Sequence, residues 1–105
     1  DVSEIPLRPL VKVHPETGVK SLAVGRHAFG VEGLEEAESE RLLQELNALA
    51  VGDDHWIYQH HWAVGDAVVW DNRCLMHKAC DWDFSSKRVM LHSRIAGDPI
   101  SEAPL

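Results

Sequence analysis

Cysteine, tyrosine and phenylalanine are scarce in this chain of 105 residues, which has two, one and two of them respectively. Two cysteines, Cys74 and Cys80, are too few for the disulfide framework of a small secreted domain, so we expect reduced thiols and a cytoplasmic location. No apolar run approaches the roughly 20 residues of a membrane-spanning helix. No charged segment followed by an apolar one opens the chain, so no signal peptide is visible.

Basic residues are also few, with 10 Lys and Arg against 17 Asp and Glu and a formal net charge of -7. This balance argues against binding to nucleic-acid phosphates and to an anionic membrane surface. The apolar share of 45% is that of a globular protein, and the length allows one domain at most. Because the chain starts at Asp1 without a methionine, we expect a portion of a longer polypeptide.

The first half of the chain contains signals for a hairpin and a helix. Residues 10–13 and 21–24 are short apolar segments on either side of HPETG at residues 14–18, where Pro and Gly favour a turn. Leucines then recur with a period near 3.6 over residues 35–50, and acidic residues begin the segment. The pattern predicts a β-hairpin followed by an amphipathic helix that ends at Gly52.

The second half favours strands. Residues 67–70 form an apolar strand pattern, a turn follows at Asp71 and Asn72, and residues 88–95 alternate between two faces. Asp71, Asn72 and Arg73 are expected to serve this turn and a local ion pair. Several strands and one helix indicate a mostly-β domain of sandwich or jelly-roll type. One face of the last strand carries Arg88, Met90, His92 and Arg94.

Seven histidines are the main chemical signal, although none has a paired zinc spacing. Cys74, His77 and Cys80 could be ligands of a non-oxygenase metalloprotein, but a second ligand pair is missing. An imidazole at His77 and an inward guanidinium at Arg88 would suit a metal together with a carboxylate ligand. Spacing alone favours the alternative, in which His77 caps a loop and Arg88 pairs with an acidic residue.

Several segments together resemble one known family. They are HPETGVKSL (14–22), GLEEAES (33–39), WAVGD (62–66), WDNRCLMH (70–77), KRVM (87–90) and IAGD (95–98). In this order they resemble the C-terminal half of the taurine dioxygenase and chlorophenoxyacetate dioxygenase family, which are Fe(II)- and 2-oxoglutarate-dependent oxygenases. The specific combination is WDNR with His77 after it and Arg88 eleven residues further on.

The resemblance implies a double-stranded β-helix, or jelly roll, of which residues 1–105 would form the C-terminal portion. It implies that His77 is the distal histidine of a 2-His-1-carboxylate iron site. It also implies that Arg88 binds the far carboxylate of 2-oxoglutarate and that Trp62 and Trp70 lie near the pocket, where plain core packing is the alternative for each tryptophan.

Two departures from the family pattern bear on this expectation. The other two metal ligands form a His-x-Asp or His-x-Glu motif about a hundred residues earlier in the family; His14 and Glu16 have this form but align with a later turn. We therefore expect an N-terminal portion of the same polypeptide, absent from this chain, to supply them. A second arginine of taurine-type members is replaced by His92, so His92 or Arg94 is a candidate for a substrate carboxylate.

The expected reaction is hydroxylation of a small organic acid, with decarboxylation of 2-oxoglutarate to succinate. The expected partners are a small-molecule substrate and the N-terminal portion, with a homo-oligomer possible and neither nucleic acid nor membrane. The alternative function is a non-catalytic jelly-roll fragment that binds or supports other groups without iron.

Overall fold

A computed structural model describes residues 5–105. In chain order it contains strand β1 (Val11–Val13), strand β2 (Lys20–Leu22), helix α1 (Glu36–Val51) and a single turn of 3-10 helix (Asp54–Trp56). The helix is too short and too polar to cross a membrane, and no other helix of the described part is longer.

Strands β1 and β2 pair antiparallel, with Lys12 opposite Ser21. The connecting turn is closed by backbone hydrogen bonds from His14 to the Val19 carbonyl and from Gly18 to the His14 carbonyl, each 2.9 Å long. Gly18 has a φ of 71°, a left-handed conformation that glycine adopts without steric cost. The predicted hairpin of residues 10–13 and 21–24 is confirmed.

Helix α1 also confirms the sequence prediction, with its first residue one position later than expected. Glu36 and Glu38 lie in the first turn, where the helix dipole favours negative charge, and Gly52 follows the last turn. Ser39 is buried, and its hydroxyl accepts a 2.9 Å hydrogen bond from the Val31 backbone N–H, which joins the preceding loop to the helix. The half-buried face carries Leu42, Leu43, Leu46, Asn47 and Ala50.

Residues 57–105 form turns and extended segments without strand pairing. The strands predicted at residues 67–70 and 88–95 do not form within the described part of the chain. A strand is stable only when its backbone N–H and C=O groups bond to a neighbouring strand, and no segment of residues 5–105 pairs with these two. The two-stranded sheet of the hairpin does not by itself make the expected mostly-β jelly roll.

Apolar side chains do not form a core among residues 5–105, where the two buried residues, His14 and Ser39, are both polar. The accessible surface is 9754 Å², whereas a compact monomer of this mass exposes about 5,900 Å². The radius of gyration is 16.5 Å, against about 13 Å for a compact domain of this length. Leu91 and Ile95 of the predicted last strand are almost fully exposed.

Candidate functional site

Trp70 brings two histidines together that are far apart in the sequence. The ring of His77 lies 5.0 Å from the Trp70 ring, and the ring of His92 stacks on Trp70 at 6.3 Å with an interplanar angle of 16°. The indole N–H of Trp70 donates a 2.7 Å hydrogen bond to the Asn72 side chain, which fixes the ring on the following turn. The candidate ligand His77 and the candidate substrate residue His92 therefore both lie next to the Trp70 ring.

His77 is exposed, and its ring nitrogens make no hydrogen bond within residues 5–105. Its imidazole is thus available to a metal ion, but the described residues bring no second ligand to it. Cys74 and Cys80 do not converge on His77 either: the Cys74 thiol contacts the Asp71 carbonyl, and Cys80 accepts from Gln59. This placement argues against the cysteine-based metal site.

Arg88 lies over the ring of Trp82, with the guanidinium carbon 4.8 Å from the ring centroid. Trp82 in turn packs against Phe84 at 4.6 Å. No ion pair to Arg88 forms among residues 5–105, so the alternative in which it neutralises an acidic residue finds no support there. The aromatic face positions the guanidinium and leaves its N–H donors available for an anion.

The sequence interpretation missed Trp82. The available signal was an aromatic residue six positions before the arginine. Because several residues separate the two across a turn, neither a helical nor a strand period predicts the contact.

Trp62 and Arg94 lie outside these two contacts. The half-exposed Trp62 packs edge-on against His60 at 4.6 Å, and His60 is itself held by hydrogen bonds to Tyr58 (2.9 Å) and Asp66 (3.0 Å). Arg94 is exposed and makes no ion pair within the described residues. All five predicted site residues line one broad open concavity, whose extent is too large to define a ligand site by itself.

His14 belongs to a different arrangement. Its Nδ1 accepts hydrogen bonds from the backbone N–H groups of Glu16 and Thr17, both 3.2 Å long. Its Nε2 lies 2.9 Å from Oδ2 of Asp71, although the two residues are 57 positions apart. An imidazole that accepts at Nδ1 carries its proton on Nε2, so His14 donates to Asp71. Both ring nitrogens are occupied, and the structure does not offer His14 as the metal ligand of a His-x-Glu motif.

Asp71 is the centre of this arrangement. It accepts from the Arg73 side chain through Nε (3.0 Å) and Nη2 (2.9 Å), and from the Arg73 backbone N–H (2.9 Å). The hydrogen bonds from Arg73, followed by the one from His14, hold the pKa of the Asp71 carboxyl far below its usual range. The same contact raises the pKa of Arg73. The expected turn and local ion pair at these residues are confirmed.

Comparison with known proteins identifies relatives along nearly the whole chain. A family model described as taurine catabolism dioxygenase TauD, TfdA family, matches residues 4–94. The (S)-phenoxypropionate/alpha-ketoglutarate-dioxygenase of Sphingobium herbicidovorans is 64% identical over 101 residues, which are 96% of this chain and 35% of that protein. The enzyme of the same name from Delftia acidovorans is 56% identical over 97% of this chain and 35% of its own length.

A further relative is the alpha-ketoglutarate-dependent 2,4-dichlorophenoxyacetate dioxygenase of Cupriavidus pinatubonensis, which is 41% identical over 88% of this chain and 32% of its own length. No solved structure matches the chain. The chain thus spans about a third of the length of the curated relatives it matches. With a family model over residues 4–94 and this level of identity, the chain belongs to the TauD, TfdA family of taurine catabolism dioxygenases.

Proposed function

We propose that this chain is the C-terminal part of an Fe(II)- and 2-oxoglutarate-dependent dioxygenase that hydroxylates a phenoxyalkanoic acid. The observation that carries the proposal is the 64% identity to an (S)-phenoxypropionate dioxygenase over 96% of the chain. The structure adds that His77 and Arg88, the two residues on which the activity would depend, have no hydrogen-bonded or ionic partner within residues 5–105. These side chains are available for ligands.

His77 would hold iron through one imidazole nitrogen. The ion and 2-oxoglutarate, when bound, supply the oxidising chemistry. The Trp70 ring, 5.0 Å away, would lie beside the bound imidazole and restrict its orientation. An N-terminal portion of the same polypeptide would supply the second histidine and the carboxylate, since the described residues bring neither to His77.

Arg88 would bind the carboxylate of 2-oxoglutarate that lies away from the metal. A guanidinium makes two parallel hydrogen bonds to a carboxylate, and the Trp82 ring beneath it holds the planar group in a fixed orientation.

His92 and Arg94 would bind the carboxylate of the substrate. His92 stacks on the same Trp70 ring as His77, so a substrate held there would lie beside the metal ligand. Trp62 would form part of the wall of the site, next to His60.

The exposed apolar surface supports a proposal about how the rest of the fold would pack on this chain. Residues 67–70 and 88–95 have strand-like sequences but no strand partner among the described residues, and Val69, Leu91 and Ile95 are each at least 90% exposed. We propose that the N-terminal portion pairs with these segments, completes the jelly roll and covers the apolar side chains. Burial of such surface stabilises a fold by about 25 cal/mol per Å². We also propose a cytoplasmic location and a homo-oligomeric state for the complete protein.

The reaction can be tested by its balance. Hydroxylation of (S)-2-phenoxypropionate at the carbon next to the ether oxygen gives a hemiketal, which breaks down to phenol and pyruvate. One oxygen atom of O2 enters the hydroxyl group of this hemiketal and the other enters succinate, and CO2 is released from 2-oxoglutarate. We expect the complete domain, supplied with Fe(II), to release phenol and succinate in equal amounts. Formation of succinate without phenol would reject this substrate class. Absence of both succinate and phenol would reject the dioxygenase function.

A further inference from the structure

The hydrogen bond between His14 and Asp71 joins the hairpin turn to the segment that precedes the candidate iron ligand. His14 is 7% exposed in a chain whose apolar residues are all more exposed than that within residues 5–105. Burial of an imidazole is costly unless both of its nitrogens are bonded. Here both are, by two backbone N–H groups of its own turn and by the Asp71 carboxylate.

The segment on the other side of this hydrogen bond leads directly to His77. The Asp71 carbonyl accepts from the backbone N–H groups of Cys74 (3.3 Å) and Leu75 (3.1 Å), which forms the turn before the ligand. The residue before Asp71 is Trp70, whose ring packs against His77. Asp71 therefore closes the turn that places the backbone of His77, and the Trp70 ring beside it, held by Asn72, contacts the imidazole of His77.

From this geometry we propose that His14 is a positioning residue for His77, acting through Asp71. The proposal rests on the proposed iron-dependent function, and it assigns to His14 a role different from the metal ligand that its His-x-Glu spacing suggests. We call the His14–Asp71 hydrogen bond the tether. It joins the hairpin, which is the one sheet of residues 5–105, to residues 57–105, which have no strand pairing of their own.

The nearby cluster of His14, Asp71 and Cys74 is not a metal site on this geometry. Although their ligand atoms lie within 4.8 Å of one another, the lone pair of His14 Nδ1 is directed at two backbone donors, and its Nε2 carries a proton. The Asp71 oxygens are already bonded to Arg73. His14 would have to release its two backbone donors, or lose the Nε2 proton and its bond to Asp71, before it could bind a metal.

Two substitutions at His14 separate the tether from the local turn. In His14→Asn the amide oxygen stands where Nδ1 stood and accepts the backbone N–H groups, but the side chain is too short to reach Asp71. In His14→Gln the amide N–H occupies the place of Nε2 and donates to Asp71. We use the complete domain and measure Fe(II) affinity by anaerobic titration, together with the melting temperature of the metal-free protein. His27→Asn, at an exposed histidine, is the matched control.

Residues that orient a metal ligand without touching the metal change its affinity by about ten- to a hundred-fold. We expect His14→Asn to weaken Fe(II) binding by about ten-fold, the low end of this range, because Asp71 and Trp70 intervene. His14→Gln is expected to recover most of the loss, and His27→Asn to bind as the wild type does. In a double-mutant cycle, His14→Ala is expected to add little to Asp71→Ala, because the partner of His14 is then already absent.

A lower melting temperature with unchanged Fe(II) affinity in His14→Asn would overturn the proposal, since His14 would then serve stability alone. Additive effects of His14→Ala and Asp71→Ala on Fe(II) affinity would also overturn it. If His14→Asn does not fold, the Fe(II) affinity of His14→Gln is compared with those of wild type and Asp71→Ala. A His14→Gln variant that binds Fe(II) as weakly as Asp71→Ala does would contradict the proposal. A wild-type domain that binds no Fe(II) would instead reject the proposed function.

Discussion

Replacing Arg88 with alanine or lysine separates the charge of this side chain from its paired hydrogen-bond geometry. Arg88→Ala removes both, whereas Arg88→Lys keeps a positive charge that cannot make two parallel bonds to one carboxylate. If Arg88 binds the far carboxylate of 2-oxoglutarate, both variants raise the KM for 2-oxoglutarate, and alanine does so more strongly. The KM for the phenoxy acid is expected to change little, because that ligand is assigned to other residues.

The size of the effect follows from the contacts. A charge-assisted hydrogen bond contributes about 1.5–3 kcal/mol, so Arg88→Ala is expected to raise the KM for 2-oxoglutarate by about ten- to a hundred-fold. Trp82 contributes through its ring alone, and a cation–π contact at an exposed site is worth about 0.5–1 kcal/mol. We therefore expect Trp82→Leu to raise the same KM by about two- to five-fold and Trp82→Phe to raise it less.

The assay is succinate release by the complete domain at saturating phenoxy acid and varied 2-oxoglutarate. Arg41→Ala is the matched control, since Arg41 is exposed on helix α1 away from the contacts of Arg88. Equal KM values for 2-oxoglutarate in wild type and Arg88→Ala would refute the assignment of this residue. A larger effect of Trp82→Leu than of Arg88→Ala would refute the expectation that the paired hydrogen bonds outweigh the aromatic contact.

Three other outcomes are expected. The double substitution of Cys74 and Cys80 by serine is expected to leave Fe(II) affinity unchanged, because the thiols lie apart from His77; loss of metal in this variant would restore the cysteine-based site. His92→Ala and Arg94→Ala are expected to raise the KM for the phenoxy acid and not that for 2-oxoglutarate, and the reverse pattern would exchange the roles. Hydrogen bonds from Ser85 and Ser86 lower the pKa of Asp83, so the folded state holds this carboxylate ionised more strongly than the unfolded state does. Its contribution to stability is therefore complete above the ordinary pKa near 3.9 and is lost as the pH falls through the lowered folded value. Urea unfolding of the complete domain is expected to show a lower free energy of unfolding for Asp83→Asn than for wild type at pH 6. This difference in free energy is expected to shrink toward pH 3, and a difference that grows would contradict the direction of the pKa shift.

Elements that depend on local sequence were predictable. The helix follows from leucines at a helical period and from acidic residues in its first turn, which act within a few residues of one another. The hairpin follows from two apolar segments around a Pro- and Gly-containing turn. Each of these elements supplies its own hydrogen-bond partners, so the structure of the described chain agrees with the prediction.

Strands of the second half were not predictable in the same way. Residues 88–95 alternate in polarity as a strand does, but the alternation does not supply a neighbour for the backbone groups. The family resemblance implies a jelly roll whose C-terminal portion is residues 1–105. Residues 5–105 contain a hairpin, a helix and a long segment without strand pairing whose apolar side chains are exposed.

The roles of His77 and Arg88 stay predictions from their motif, and the sequence did not give their contacts. The rings of Trp70 and Trp82 that lie against these two side chains became apparent only in three dimensions. His14 is the clearest case. Its spacing to Glu16 has the form of a metal-ligand motif, although the resemblance aligned it with a later turn, and its hydrogen-bond partner Asp71 lies 57 residues away. Sequence patterns report neighbours along the chain and cannot report this contact.

Whether His77 holds the iron is tested by the iron content of the complete domain and of its His77→Ala variant, with succinate release measured on the same samples. We expect stoichiometric Fe(II) and 2-oxoglutarate-dependent succinate release in the wild type. We expect loss of both in His77→Ala, with an unchanged melting temperature of the metal-free protein. Iron retained at wild-type affinity in His77→Ala would contradict it.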